Sequence, residues 1–269
     1  MKFIGLNAGQ FGDLVMNTVA ARAIKQKWPE SHFTLGIGQP FKEIAPLFKN
    51  HPYIDDVHIW ESYDGLTDQD KYYIEENEFD KVFNPMPQHK HSDWYNRVKN
   101  QTEEVCLMHD LIPPDDLSCY LEKYFKPFGI GRDVVCISPW TAHEPKNLPL
   151  EKWEKIVKYI KGKGYDVAQL SAPNQPAIYG AWRSKIATSY MSSVNTLLAS
   201  KLLITLDSGM SWTASAYQHP VLGLYGYHYP SIKSPKVYEP INSNAIYLEG
   251  QHANDIPLEQ IFDQIDKML

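Results

Sequence analysis

Leu202-Leu203-Ile204-Thr205-Leu206-Asp207-Ser208-Gly209-Met210-Ser211-Trp212 decides the fold. The stretch from Leu202 to Leu206 is an apolar run too short for a helix, and Asp-Ser-Gly cuts it off. It reads as a buried strand that delivers Asp207 to its end. Met210–Tyr217 then reads as a helix, and Val221-Leu222-Gly223-Leu224-Tyr225 as the next strand. Strand, helix and strand in succession specify a parallel sheet with helices on its faces.

The same alternation extends in both directions. Downstream lie a strand at Ala245–Leu248 and an amphipathic helix at Pro257–Leu269. Upstream, Val194–Ser200 is a short helix and Val167–Leu170 a strand. Leu150–Lys161 is a strong amphipathic helix with Trp153, Ile156, Val157 and Ile160 on one face and Gly164 near its end. Val134–Pro139 is the strand before it. Lys126-Pro127-Phe128-Gly129-Ile130-Gly131 is the natural linker. Before the linker a second alternation begins with a strand at Phe3–Leu6, a glycine-bearing turn, and a helix carrying Leu14, Val15, Thr18, Val19 and Ala23. Strands follow at His32–Gly38, Val57–Trp60 and Lys81–Pro85, with helices near Phe41–Phe48 and Gln69–Asn77. Trp94–Met108 and Tyr120–Phe125 complete it as helices. The expected fold is α/β, with two Rossmann-like domains facing a cleft, an N-terminal one over 1–128 and a C-terminal one over 129–269. The last helix is free to pack back on the N-terminal domain.

The bulk composition narrows the function. Hydrophobic residues at 43% and charged residues at 22% describe a globular protein with a real core. A net charge of −6 argues against a general nucleic-acid-binding surface, which needs a basic excess. The cysteines, Cys106, Cys119 and Cys136, are odd in number and form no C-x-x-C pair, as in a reduced cytoplasmic protein. No signal segment opens the chain, and no apolar run approaches the roughly 18–20 residues that span a bilayer. Any membrane contact is therefore expected to be peripheral.

In an open parallel sheet, ligands bind beyond the carboxyl ends of the strands. Three such ends carry chemistry here. Gly9-Gln10-Phe11-Gly12-Asp13 allows close backbone approach and places Asp13 at a helix start, where it is either an N-cap or a functional carboxylate. Its G-x-x-G spacing lacks the third glycine of a dinucleotide fingerprint. Ser138–Pro149 offers the Thr141 hydroxyl and the Lys146 charge, suited to phosphate oxygens, or else is an exposed loop. Asp207-Ser208-Gly209 opens a helix whose first N–H groups can hold a diphosphate, or simply caps it. Weaker signals are His89-Lys90-His91, His228-Tyr229-Pro230, and the basic residues Lys90, Arg97 and Lys99, which could meet an anionic acceptor. Asp68-Gln69-Asp70 is the D-x-D element, at the start of a polar helix.

Taken together, these stretches resemble the heptosyltransferase-type glycosyltransferases of family nine, which have the two-domain GT-B fold. Gly12-Asp13, an apolar helix, and Asn50-His51-Pro52-Tyr53-Ile54-Asp55-Asp56-Val57 match the family's opening. Lys146-Asn147-Leu148-Pro149 with Trp153 resembles its central motif, with Leu148 in the place of a tryptophan. Asp207-Ser208-Gly209, then Ala214, Ala216, Pro220 and Leu224-Tyr225-Gly226, resembles its Asp-Thr-Gly motif.

The resemblance implies roles. Asp13 would be the general base. Gly12, Thr141, Lys146, Asp207, Ser208 and Gly209 would bind the donor, together with Trp212, which stands where the family usually has a histidine. The reaction would be inverting and metal-independent, moving a sugar from a nucleoside-diphosphate sugar to an acceptor hydroxyl, with no cofactor. A glycan, a lipid-linked glycan or a modified nucleic acid would serve as acceptor. The loop with the family's ribose-contacting acidic residue here carries Asn174-Gln175, which leaves the donor nucleotide and sugar open. Two other classes fit the same fold: a sugar-nucleotide hydrolase or epimerase, and a non-catalytic nucleotide-sugar-binding protein.

Overall fold

The computed structural model describes residues 1–5, 10–61, 67–83, 99–107, 109–122, 133–141, 146–172, 174–183, 189–226 and 235–269. The chain divides into two compact units, Met1–Tyr124 and Phe125–Leu269.

The first unit contains β1 (Lys2–Gly5), α1 (Phe11–Lys27), β2 (His32–Gly38), β3 (Asp56–Trp60), α2 (Asp68–Glu76), β4 (Lys81–Phe83) and α3 (Gln101–Leu107). Its sheet runs β3-β2-β1-β4, every pair parallel. Phe3 and Ile4 of β1, and Leu14, Val15, Val19 and Ile24 of α1, are fully buried or nearly so. Gly36 on β2 is required by packing, because a Cβ there would run into the Trp60 indole. The helix expected near Phe41–Phe48 is a 3-10 helix over Gln39–Phe48. Pro46 inside it has no N–H, and its ring excludes the α-helical pattern.

A buried histidine fastens this unit's loops. His51 Nδ1 accepts the Tyr53 N–H at 3.2 Å, and Nε2 bonds the Tyr120 carbonyl at 3.0 Å. A carbonyl only accepts, so Nε2 carries the proton and the ring is neutral. Burial, aided by the Arg22 charge, lowers its pKa to about 4. Arg22, itself buried, donates to the carbonyls of Asp116 and Ser118 and pairs with the Asp116 carboxylate at 2.8 Å. These bonds hold residues 116–120 as irregular chain, so the helix expected from Tyr120 does not begin within the described residues up to 122. Of the helix expected over Trp94–Met108, α3 is the part that falls within them. The expected linker at 126–131 lies outside the described residues.

The second unit contains β5 (Val134–Ser138), α4 (Leu150–Gly162), β6 (Asp166–Gln169), β7 (Trp182–Arg183), α5 (Tyr190–Ala199), β8 (Leu202–Leu206), α6 (Gly209–Ala216), β9 (Val221–Gly226), β10 (Ala245–Gly250) and α7 (Leu258–Met268). Its sheet runs β10-β9-β8-β5-β6-β7, all parallel. Counted from β5 this is the doubly wound order 3-2-1-4-5-6. Trp153, Ile156 and Ile160 of α4 and Ile261 and Ile265 of α7 share one core with the strands. Leu197, Met210 and Ala214, from α5 and α6, build another. α7 lies on α4: the Tyr159 and Phe262 rings stack at 4.0 Å, and the Tyr159 hydroxyl bonds Asp266 at 2.9 Å. The short strand β7 was not anticipated.

Candidate active site

In the second unit the sheet's order reverses at β5, since β6 and β8 flank it and the chain grows outward in both directions. The crevice between the carboxyl ends of β5 and β8 is where such sheets receive ligands. Thr141 and Lys146 follow β5, and Asp207, Ser208 and Gly209 follow β8. The two sides are joined: Lys146 Nζ lies 2.6 Å from Asp207 Oδ2, with the side chains 21% and 8% exposed. The Thr141 N–H donates to Asn147 Oδ1 at 2.8 Å, which ties the two ends of the β5 loop together beside the lysine.

Ser208 does not cap α6 in the ordinary way. Ser208 occupies the N-cap position, but its side chain makes no capping bond and its hydroxyl lies 3.2 Å from Thr205 Oγ1. The first N–H groups of a helix have no partner within it, and together with the helix dipole they favour an anion. Side chains hold this helix start in place. The Tyr190 hydroxyl donates to the Gly209 carbonyl at 3.0 Å and meets Thr213 Oγ1 at 2.7 Å. Ser211 Oγ meets the hydroxyl of fully buried Tyr225 at 2.8 Å. Burial, and then the nearby Asp207 charge, push the Tyr225 phenol well above its usual range. Trp212 lies in the second turn of α6 with 3% of its surface exposed, so its indole is chiefly a packing group in this state.

In the first unit, Gly12 and Asp13 are the second and third residues of α1, one turn deeper than a cap. Gln10 holds the N-cap position, and the Asp13 carboxylate reaches back to accept the Gln10 N–H at 2.7 Å. This corrects the N-cap alternative. Asp13 is half-buried and stands beyond the carboxyl end of β1, where this sheet's order reverses.

The D-x-D element is structural. Asp70 is buried and accepts the N–H groups of Thr67 and Glu61, while Asp68 pairs with Lys71. Lys99 pairs with Glu103 at 2.7 Å. Gly9, the His89-Lys90-His91 group, Arg97 and His228-Tyr229-Pro230 lie outside the described residues. Sequence reading passed over Asn147, Tyr190 and Thr205 as site-shaping groups. Thr205 carried a signal, as the one polar residue inside the β8 run.

The model of glycosyltransferase family 9 (heptosyltransferase) matches residues 118–261, more than half of the chain. The chain belongs to that family. As a family 9 member it is a glycosyltransferase, with the mixed α/β GT-B class of fold. The E. coli ADP-heptose LPS heptosyltransferase II structure is similar over 100% of this chain and 98% of its own, at TM-score 0.76 and 16% identity. The family 9 glycosyltransferase of Veillonella parvula DSM 2008 is similar over 99% and 96%, at TM-score 0.75 and 15% identity. The dodecameric, iron-containing glycosyltransferase TibC of enterotoxigenic E. coli H10407 is similar over 99% of this chain and 75% of its own, at TM-score 0.71 and 15% identity. No curated protein matches the sequence. Among the described residues of this family 9 chain, no three His, Cys, Asp or Glu side chains gather as a metal site, and no helix is long and apolar enough to cross a membrane.

Proposed function

We propose that the chain transfers a sugar from a nucleoside-diphosphate sugar to an acceptor hydroxyl, with inversion and without a metal ion. The observation that carries this reading is the Lys146–Asp207 bond across the reversal point of the second sheet, beside the α6 N-terminus. An ammonium has three donors, and the carboxylate takes one. The others, with the first N–H groups of α6, suit the oxygens of a diphosphate leaving group. Structures of family members described with ADP or ADP-heptose support a nucleotide-sugar donor. Thr141 completes the phosphate contacts from the β5 side.

An acceptor hydroxyl is almost fully protonated at neutral pH and is a weak nucleophile. In the proposed step its oxygen bonds the anomeric carbon while the bond from that carbon to the diphosphate breaks on the opposite face, and the hydroxyl proton passes to the Asp13 carboxylate. Such a base contributes about 10²–10⁴ in rate. Positive charge fixed in advance at the diphosphate stabilises the departing group in the role a metal ion otherwise fills. A reducing, cytoplasmic setting suits the three buried free cysteines, whose thiols burial pushes up to about 12.

The test is calorimetry of nucleoside diphosphates against the Lys146→Ala chain. The expected loss is about 10- to 100-fold in affinity, the scale of charged hydrogen bonds. Because the substitution leaves Asp207 without its cation, Lys146→Ala with Asp207→Asn is measured beside it and should retain the loss. Unchanged affinity in both refutes the donor site. Donor turnover with no acceptor present would point instead to a hydrolase.

A further inference from the structure

We propose that Gln169 is a positioning residue for the nucleoside end of the donor, acting through the loop between β6 and β7. The inference rests on the donor site proposed above. In doubly wound sheets that bind dinucleotides, an acidic residue near the end of the second strand holds the ribose hydroxyls. Here β6 is that second strand and Gln169 ends it. Gln169 is 1% exposed, and both ends of its amide are engaged by the loop that follows. Its Oε1 accepts the Ile178 N–H at 2.8 Å. Its Nε2 donates to the Pro176 carbonyl at 2.8 Å and to Ser171 Oγ at 3.1 Å.

The Pro176 carbonyl takes a second bond, from Trp140 Nε1 at 3.0 Å, and Trp140 belongs to the loop after β5 that also carries Thr141. Gln175 adds a turn of its own, accepting the Ala172 N–H at 2.9 Å and donating its N–H to the Ala172 carbonyl at 3.1 Å. One buried amide and one indole therefore hold the Pro176–Ile178 part of the loop. No Asp or Glu occurs between Val167 and Arg183, so the polar side chains the loop offers a nucleoside are neutral: Ser171, Asn174, Gln175 and Tyr179. The groups proposed for the diphosphate are held by separate bonds, from Asp207, Asn147 and Tyr190.

That separation makes the assignment testable. An apolar residue at 169 strands the Ile178 N–H and releases the Pro176 carbonyl from one donor, so the loop relaxes. Trp140→Phe removes the other donor and keeps most of the ring packing. Binding to the full chain is measured by calorimetry for ADP, UDP, GDP and CDP, and for inorganic pyrophosphate, which lacks a nucleoside. Gln169→Leu is expected to weaken the tightest nucleotide by about tenfold or more, the value of one or two lost bonds, and to leave pyrophosphate within about twofold. Trp140→Phe should produce the same selectivity with a smaller loss, about two- to fivefold.

Equal weakening of nucleotide and pyrophosphate in Gln169→Leu overturns the inference, because it marks a general structural role. Unchanged nucleotide affinity overturns it as well. If Gln169→Leu does not fold, Trp140→Phe decides by the same criterion. A failure of the donor-site reading has its own signature: the unsubstituted chain binds neither nucleotides nor pyrophosphate, and the inference falls with it.

Discussion

The strand order 3-2-1-4 occurs in both units, as β3-β2-β1-β4 in the first and β7-β6-β5-β8 in the second, but its reversal point is furnished differently. In the second unit an ammonium and a carboxylate bond across the reversal, and the helix start beside them is braced from α5 and β9. In the first unit the reversal carries a half-buried carboxylate reaching back over its own helix start. That helix start meets the Phe41 ring edge-on through Phe11 at 5.2 Å, and the Arg22 and His51 bonds fasten residues 116–120. Shared topology therefore fixes where a site forms and leaves its charge to the loops. A cation suits a leaving anion, and a carboxylate suits proton removal.

The sharpest way to break this comparison is Asp13→Asn. Asparagine keeps an oxygen to accept the Gln10 N–H but cannot take a proton, so thermal stability and donor affinity should hold. Turnover should fall by about 10² or more. Near-native turnover with the true acceptor would return Asp13 to a purely structural role and erase the difference between the units.

Acid offers a smaller but more discriminating test, because the units should respond with opposite sign. Burial lowers His51 and His109 to about 4, both in the first unit. An unfolded histidine binds its proton near 6.5. The unfolded unit therefore takes up protons that the folded one refuses, and the stability of the first unit, full above about 6.5, falls as pH drops toward 4. For His51, 4% exposed, the loss is at most roughly 3 kcal/mol. In the second unit, burial and then the Glu249 charge raise Glu239 from 4.5 to about 7. Its contribution is present in full below about 4.5 and is lost as pH rises through about 7. Hydrogen exchange resolved by peptide, at pH 7.5 and pH 5 and corrected for intrinsic exchange, should show first-unit protection falling with acid relative to the second. A common sign in both units would refute the assignment.

The smallest expected effect is none: turnover in EDTA should match turnover without it. Asp70 already serves the start of α2 and Asp68 its exposed neighbour Lys71, so the D-x-D element has a structural explanation. Loss of activity on chelation, restored by added magnesium, manganese or iron, would refute metal independence.

Most of the fold was legible because strands buried in parallel sheets read as apolar runs, and β2, β5 and β8 were found within a residue of their ends. β7 was not, since two residues carry no period. The Asp207-Ser208-Gly209 element was legible from its turn chemistry. Its bond to Lys146 was not, because the partners stand 61 residues apart and only the strand order brings them together. The position of Asp13 was misjudged by one turn: α1 starts at Phe11 behind a glutamine, which announces a helix poorly. Gln169 passed for an ordinary strand residue because nothing in Asp-Val-Ala-Gln-Leu reveals that its amide faces the loop.

The Lys146–Asp207 pair also bears on how a donor arrives. Opposite charges 2.6 Å apart act at a distance as a dipole, whose field fades faster than that of a lone ammonium. With a net charge of −6 on the chain, a nucleotide sugar has little long-range attraction toward this crevice. Encounter is then opposed by the like net charges, and its rate should rise modestly with ionic strength. At the proposed donor site, selection would begin on contact, when the incoming phosphate competes with Asp207 for the ammonium, so the pair would filter by residence time rather than by recruitment.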